Sequence, residues 1–384
     1  MPQKKRDAHV SPRVFLVLFA IIAIYAALCS PAHAVPAWAR KTGLTCASCH
    51  IGGTSRLTEL GRDFQMRGHR LKSDADSRPN MANVLGYFTL AAKLRHQDKE
   101  GVTTSDNLQT SALMAGGPLT RNLGFYAEYT LYDRLPYRTE STSGFLDAYL
   151  QYASDTTADS FWFARAGRMH PYAVYALGTG GRIPLSRARV VADSLGGLVP
   201  SIQRRTTGVS AGFSGADGWR VETGSQLGIT SGGSAARPDV FLAVEKNVDE
   251  YGSGVGVYGR SGWRGTDEVN ASFTQTGVMG RFLRERYAFT GAYLMARTRD
   301  NAGAVARPDG FFVEAATNLQ PELTGFLRFD DVAGTGVGAA RSRGLVLGIS
   351  QRIPNSGRAV LEFSNPLTGT GQSRSLLLDL VLMY

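Results

Sequence analysis

Leu123-Gly124-Phe125-Tyr126-Ala127-Glu128-Tyr129-Thr130-Leu131 alternates a larger, mostly apolar side chain with a small or polar one at nearly every step. A period of two is that of a β-strand, whose successive side chains point to opposite faces. One face reads Leu, Phe, Ala, Tyr, Leu, and the other carries Gly124, Tyr126, Glu128 and Thr130. Leu146, Ala148, Leu150 and Tyr152 alternate with Asp147, Tyr149 and Gln151 in the same way. Leu323, Gly325, Leu327 and Phe329 alternate with Thr324, Phe326, Arg328 and Asp330. A soluble sandwich also buries one face, so alternation alone does not separate it from a membrane barrel. Strand number and parity do. Sixteen such segments stand between residues 84 and 384, the first near 84–96 and the last near 374–384. The even-numbered links include 117–120, 215–217 and Leu319-Gln320 and are short, whereas the long links 169–203 and 298–309 are odd-numbered. Short turns at one end and longer loops at the other is the pattern of outer-membrane barrels.

The end of the chain agrees. Leu376, Leu378, Leu380, Leu382 and Tyr384 alternate with Leu377, Asp379, Val381 and Met383, and the sequence stops on an aromatic residue, as in the assembly signal of such barrels. A soluble edge strand this apolar would invite aggregation. The expected fold is all-β: a transmembrane antiparallel β-barrel of about 16 strands over residues 81–384, wide enough to keep an open lumen. Glu128, Asp147, Arg165, Glu222, Glu245, Glu314 and Arg328 are candidates to face that lumen, read as ordinary pore solvation. The link 169–203, with Gly178 to Gly181, Arg182, Arg187 and Arg189, folds inward as a constriction or covers the mouth.

Composition fits this reading. The chain has 384 residues, 43% of them apolar and only 19% charged, with 45 glycines and 33 Tyr plus Phe, a balance of short strands and turns rather than of a helical core. The net charge of +10 is spread along the chain without a Lys/Arg-dense block beyond the N-terminus, which excludes a nucleic-acid reader. Three cysteines are too few for a disulfide-stapled scaffold.

The first residues have the three-part layout of a secretory signal. Lys4, Lys5 and Arg6 precede the uncharged run Val14 to Leu28, and Ala32-His33-Ala34 offers small residues at both positions a signal peptidase reads. A spanning helix needs about 20 apolar residues, more than this run supplies. Cys29 follows the bulky Leu28, which disfavours a lipoprotein site. Residues 1–34 are therefore expected to be a signal peptide, with Val35 the mature start. Its removal takes four positive charges and one negative, leaving about +7 and only Cys46 and Cys49.

Cys46-Ala47-Ser48-Cys49-His50 is a C-x-x-C-H motif, the pattern of c-type haem attachment. Two thiols so spaced reach one edge of a macrocycle and add across its two vinyl groups, and the adjacent histidine falls beneath the ring to ligate iron. A zinc site would need two more well-spaced ligands. A thioredoxin-like pair would need a surrounding βαβ pattern. A Cys46–Cys49 disulfide is the alternative in an oxidising compartment. One covalent haem c, held by Cys46, Cys49 and His50, is the expectation.

A helix is expected next, with Leu57, Leu60, Phe64 and Leu71 on one face, Thr54 or Ser55 as cap and Gly68 as its end. The distal iron ligand stays open among His69, Met81, Met66 and none. On a continuous helix Met66 points about 180° from the apolar stripe. His69, just past Gly68, is the choice beside His50. Residues 35–80 are too few to enclose a haem alone, so the barrel must shield it, with this small α-helical segment plugging the lumen.

Pro36-Ala37-Trp38-Ala39-Arg40-Lys41-Thr42-Gly43, then Cys46 to His50, then Leu57-Thr58-Glu59-Leu60-Gly61-Arg62-Asp63-Phe64 and Gly68 resemble the fused cytochrome–porins, the outer-membrane monohaem iron oxidases. Trp38 and Leu60 replace the family's usual phenylalanines, His69 stands where a tyrosine is common, and the proline often found after the haem motif is missing. The resemblance implies electron transfer through one haem c in a barrel of the outer membrane. Iron(II) would be the extracellular donor and a periplasmic c-type cytochrome the acceptor, an iron(II):cytochrome oxidoreductase. The alternatives are a passive porin or solute channel with a structural haem plug and, third, a haem-based reductase or sensor.

Overall fold

The computed structural model describes residues 37–51, 56–74, 87–133, 144–171, 183–192, 195–196, 199–227, 229–230, 237–265, 270–299, 303–334, 340–353, 357–368 and 373–383. The expected signal peptide, Met81 and Tyr384 lie outside the described residues.

Sixteen strands form the wall: β1 Phe88–Lys99, β2 Val102–Pro118, β3 Leu123–Asp133, β4 Gly144–Ala153, β5 Phe161–Met169, β6 Thr206–Ser214, β7 Trp219–Leu227, β8 Pro238–Asn247, β9 Gly254–Gly265, β10 Asn270–Leu283, β11 Tyr287–Arg299, β12 Asp309–Gln320, β13 Leu323–Val332, β14 Ser342–Ile353, β15 Gly357–Thr368 and β16 Ser375–Met383. Each pairs antiparallel with its sequence neighbour. β1 pairs with β16 from Ala91↔Met383 to Lys99↔Ser375, which closes the sheet and leaves no edge.

The parity also holds. Links 119–122, 215–218, 284–286 and 321–322 are tight turns at the end where the wall begins and finishes. The strand ends Asp133 and Gly144, Met169 and Thr206, and Arg299 and Asp309, which bound the long links, stand at the other end. The β1–β2 turn is a short exception on the long-link side, where Gly101, at φ 79°, supplies the left-handed residue of a tight hairpin.

The outer face is an apolar band. Leu150, Val209, Leu242, Val257, Val278, Val313, Leu327 and Leu347 point outward and are 41–57% exposed. Tyr152, Trp162, Trp219, Phe282 and Tyr287 ring the short-turn end, and Tyr129, Phe145 and Trp263 the other. Such aromatic girdles at the two water interfaces mark a membrane barrel. No described helix is long and apolar enough to cross a membrane; the strands do the crossing.

Part of the lumen is occupied by packed side chains rather than left to solvent. The described part of link 170–205 folds inward, around helix α1, Arg189–Ala192. Its Val190, Val191, Leu195, Val199 and Ile202 pack on the inward-facing Phe241, Tyr258, Phe273, Leu294 and Phe312. Burial of each aliphatic side chain contributes roughly 1.5–3 kcal/mol, which explains why so apolar a loop leaves the mouth for the interior. Polar ties fix it: Glu362 accepts from the Leu185 amide (2.6 Å), and Arg328 donates to the Ser186 carbonyl (2.8 Å).

Candidate haem-binding site

The described residues 37–51 and 56–74 form short helices at the short-turn mouth, in contact with the inner wall: α2 Ala37–Thr42, α3 Cys46–Cys49 and α4 Glu59–Met66. The Ala37 amide donates to Thr89 Oγ1 (2.9 Å), and Trp38 Nε1 donates to the Gly116 carbonyl (2.8 Å). Gly43, at φ 70°, ends α2 in a left-handed turn, with its amide on the Ala39 carbonyl (2.9 Å).

α3 is a single turn, so Cys46 and Cys49, three residues apart, lie on one face. Both thiols are free and partly exposed. Burial raises both above the usual cysteine range; beside Cys46 the Arg352 guanidinium opposes this without cancelling it. They are neutral thiols near pH 7, the form that adds across a vinyl group. His50 leaves the helix in an extended conformation and forms a β-bridge with Leu57. The Thr58 hydroxyl donates to the Ser48 carbonyl (2.7 Å) and accepts from the Gly61 amide (3.1 Å), so one residue caps α4 and pins α3. A Cβ at Gly61 would collide with the Cys49 carbonyl, so the two helices need glycine to pack this closely.

The cap is therefore Thr58 rather than Thr54 or Ser55, which lie outside the described residues, and α4 begins only at Glu59. The expected stripe does not form: Leu57 precedes the helix and Leu60 is 41% exposed. Gly68 ends the helix as expected. At φ 76° its amide reaches the Gln65 carbonyl (3.2 Å), and the His69 amide reaches that of Phe64 (3.0 Å), a Schellman motif. The wall at this turn has no room for side chains, since a Cβ on Gly124 of β3 would overlap the Gly68 backbone. Gly124→Val is expected to weaken docking of the segment by about 1–3 kcal/mol, read as faster protease cleavage within residues 37–74 while the barrel keeps its heat-modifiable gel shift.

His69 is 3% exposed and, at φ 63°, is the one non-glycine residue in the left-handed region among those described. Its ring stacks between Trp38 (5.1 Å) and Tyr126 (5.3 Å), with Phe64 edge-on at 6.0 Å. Burial, with Arg165 and Arg70 nearby, lowers its pKa to about 3, so the imidazole is neutral, the form that ligates metals. Its Nδ1 is buried without a hydrogen-bond partner. Met66 packs against Ala153, Phe161 and Phe163 of β4 and β5, which commits its side chain to the wall.

The lumen charges are not pore solvation but mostly ion pairs, several with this segment. Arg56 meets Glu314 (2.6 Å) and Arg62 meets Glu245 (2.5 Å). Arg220 of β7 pairs with both Glu59 and Asp63, and Asn247 donates to Glu59 (2.8 Å). Arg67 and Arg70 donate to carbonyls of the short turns, Ala158 (2.8 Å) and Thr120 (2.7 Å) among them. Sequence reading missed these anchors, although four arginines between residues 56 and 70 facing an acidic lumen were the available signal. Burial would raise the Glu59 pKa, but Arg220 and Arg62 outweigh it and hold the carboxyl below 4.5. Its contribution to docking is complete above that value and is lost as pH falls through the lower folded-state value. The expected outcome is protease-sensitive loosening of the segment only below about pH 4.5, with the acid limb shallower in Glu59→Gln.

The residues that fit a covalent haem are two neutral thiols on one turn and the histidine beside them. The structure unites Cys46, Cys49 and His50 in one segment and places His69 beyond the far end of α4 from it. Among the described residues no group of three His, Cys, Asp or Glu converges to hold a metal ion.

No family model matches the sequence, and no curated protein matches it. Solved structures do. The chain is similar to a loop-deletion variant of OmpT, an outer-membrane protein of Vibrio cholerae, at 13% identity and TM-score 0.59, over 77% of this chain and 98% of that one. Salmonella typhi OmpF matches at 13% identity and TM-score 0.59, over 77% and 97%. An anion-selective porin from Comamonas acidovorans matches at 10% and 0.57, over 77% and 98%. At these identities the likeness carries the fold: a porin-like barrel of the outer-membrane type, the porin half of the resemblance drawn from the sequence. The cytochrome half gains no support from these comparisons.

Proposed function

We propose that this porin-like barrel carries one covalent haem c on Cys46, Cys49 and His50 and transfers electrons across the outer membrane. In that reading iron(II) is the donor on the outer side and a periplasmic c-type cytochrome the acceptor. The observation that carries it is the single helical turn of α3, which puts both thiols on one face with His50 directly after, held at the short-turn mouth. The haem supplies a reversible one-electron couple when bound. The chain's part is to hold and shield it. Cys46 and Cys49 tether one edge, His50 ligates, and Trp38, Phe64 and Tyr126 keep water from the neutral His69. An acceptor would reach the site from the short-turn side without entering the barrel.

The second reading is a passive solute channel with the N-terminal segment as a structural plug. The comparisons support it better than electron transfer, since the similar solved structures are outer-membrane proteins and porins, one of them described as anion-selective. Against it stand the inward link and the ion-paired segment, which pack on the inner wall of the barrel. Liposome swelling separates the two. Electron transfer predicts little sugar uptake by the intact protein together with a haem that is reduced and reoxidised. Rapid uptake with no redox-active haem would establish the channel.

A further inference from the structure

The outward face of β11 runs Tyr287, Phe289, Gly291, Tyr293, Met295 and then, in the same alternation, Arg297 and Arg299, both exposed. Register sets Arg299 opposite Ser272 and Arg297 opposite Thr274 on β10, while Trp263 of β9 faces Ser272 and Ser261 faces Thr274. Arg237, exposed just before β8, lies over the Trp263 ring at 4.5 Å. The long-link end of the lipid-facing wall therefore carries three guanidinium groups, three hydroxyls and an indole directly above the apolar band. Among the described residues Arg237, Arg297 and Arg299 make no ion pair, and Asp309, opposite Met295, is taken by Arg341 (2.6 Å); Asp267, Glu268 and Asp300 lie outside the described residues. The lumen shows the opposite habit, its arginines being paired with carboxylates.

A guanidinium on the outer face of a barrel is costly at the bilayer midplane and tolerated only at the interface. Interfacial arginines without protein partners seek anionic headgroups, and a guanidinium fork matches phosphate oxygens in pairs. Indole and hydroxyls add the stacking and hydrogen bonding that a sugar ring offers. We propose that this patch binds the phosphorylated saccharide headgroup of a lipid in the leaflet at the long-link end, its acyl chains lying along the apolar outer wall below. The site is independent of what Cys46 to His50 hold.

The test uses the full-length protein in nanodiscs containing diphosphorylated lipid A, with its dephosphorylated form and inorganic phosphate as controls. Native mass spectrometry should show retained diphosphorylated adducts, and Trp263 emission should shift on their binding. Arg297→Gln/Arg299→Gln should lower affinity for that lipid by roughly thirtyfold, leaving the dephosphorylated lipid unaffected. Arg297→Lys/Arg299→Lys should keep part of the binding, and both variants should keep the heat-modifiable gel shift that reports a folded barrel. Equal affinity of wild type and the glutamine variant for the diphosphorylated lipid would overturn the proposal. So would displacement of the lipid by millimolar inorganic phosphate, which would make the patch a free-anion site.

Discussion

Cys46→Ala/Cys49→Ala is expected to abolish covalent haem completely while the barrel still assembles. These two are the only thiols after residue 34, so no other sulfur can take over the tether. Neither is buried in the packing that holds the segment, and α3 owes its position to backbone bonds and to Thr58. Haem-stained denaturing gels should show a band in the wild type and none in the variant, with the same shift between boiled and unboiled samples in both. A single Cys46→Ala should leave at most a weak, one-thioether band. Haem extractable from the wild type by acid–acetone would contradict covalent attachment.

Arg62→Ala carries the largest expected energetic effect. Arg62 and Glu245 are 3% and 4% exposed and 2.5 Å apart, with Arg281 a further 3.3 Å from Glu245. Removing Arg62 takes away the nearer of the two guanidinium groups that compensate the buried Glu245 and leaves only Arg281 beside it; breaking a buried pair of this kind costs about 3–5 kcal/mol. Docking of residues 37–74 should weaken on the order of a hundredfold or more. The readouts are protease cleavage near α4 and a rise in single-channel conductance. Arg62→Lys, which keeps a positive charge beside Glu245, should recover part of the docking. Wild-type protection in Arg62→Ala would show that the segment is held elsewhere.

The barrel was legible because its rule is local. Period-two alternation, turn parity and an even strand number each follow from a membrane on one side of the wall. The inward link was only half legible. Its fold follows from Phe241, Phe273, Leu294 and Phe312, apolar residues on the face a solvated pore would keep polar. Phe311-Phe312 breaks the alternation in β12 and could have signalled a filled lumen. The helix stripe misled because Leu57 and Leu60 were placed on a helix whose start is set by Thr58 and by the backbone contact of Gly61 with Cys49. The C-x-x-C-H spacing is local, and its two cysteines fall on one helical turn. The stack around His69 was not legible, because Trp38, Tyr126 and Tyr149 meet only when the segment docks. The anchoring pairs join residues as far apart as Arg56 and Glu314, which no local pattern records.

The most direct measurement is the visible absorption spectrum of the purified full-length protein before and after anaerobic addition of excess aqueous iron(II). The account predicts a c-type haem spectrum with one haem per chain, converted to the sharp-banded reduced form by iron(II) and restored by an oxidised periplasmic-type cytochrome c. His69→Ala should keep the haem but alter its axial-ligand spectrum and potential. A wild-type haem that stays oxidised with iron(II) would remove the donor, and a purified barrel with no haem band at all would contradict the account at its root.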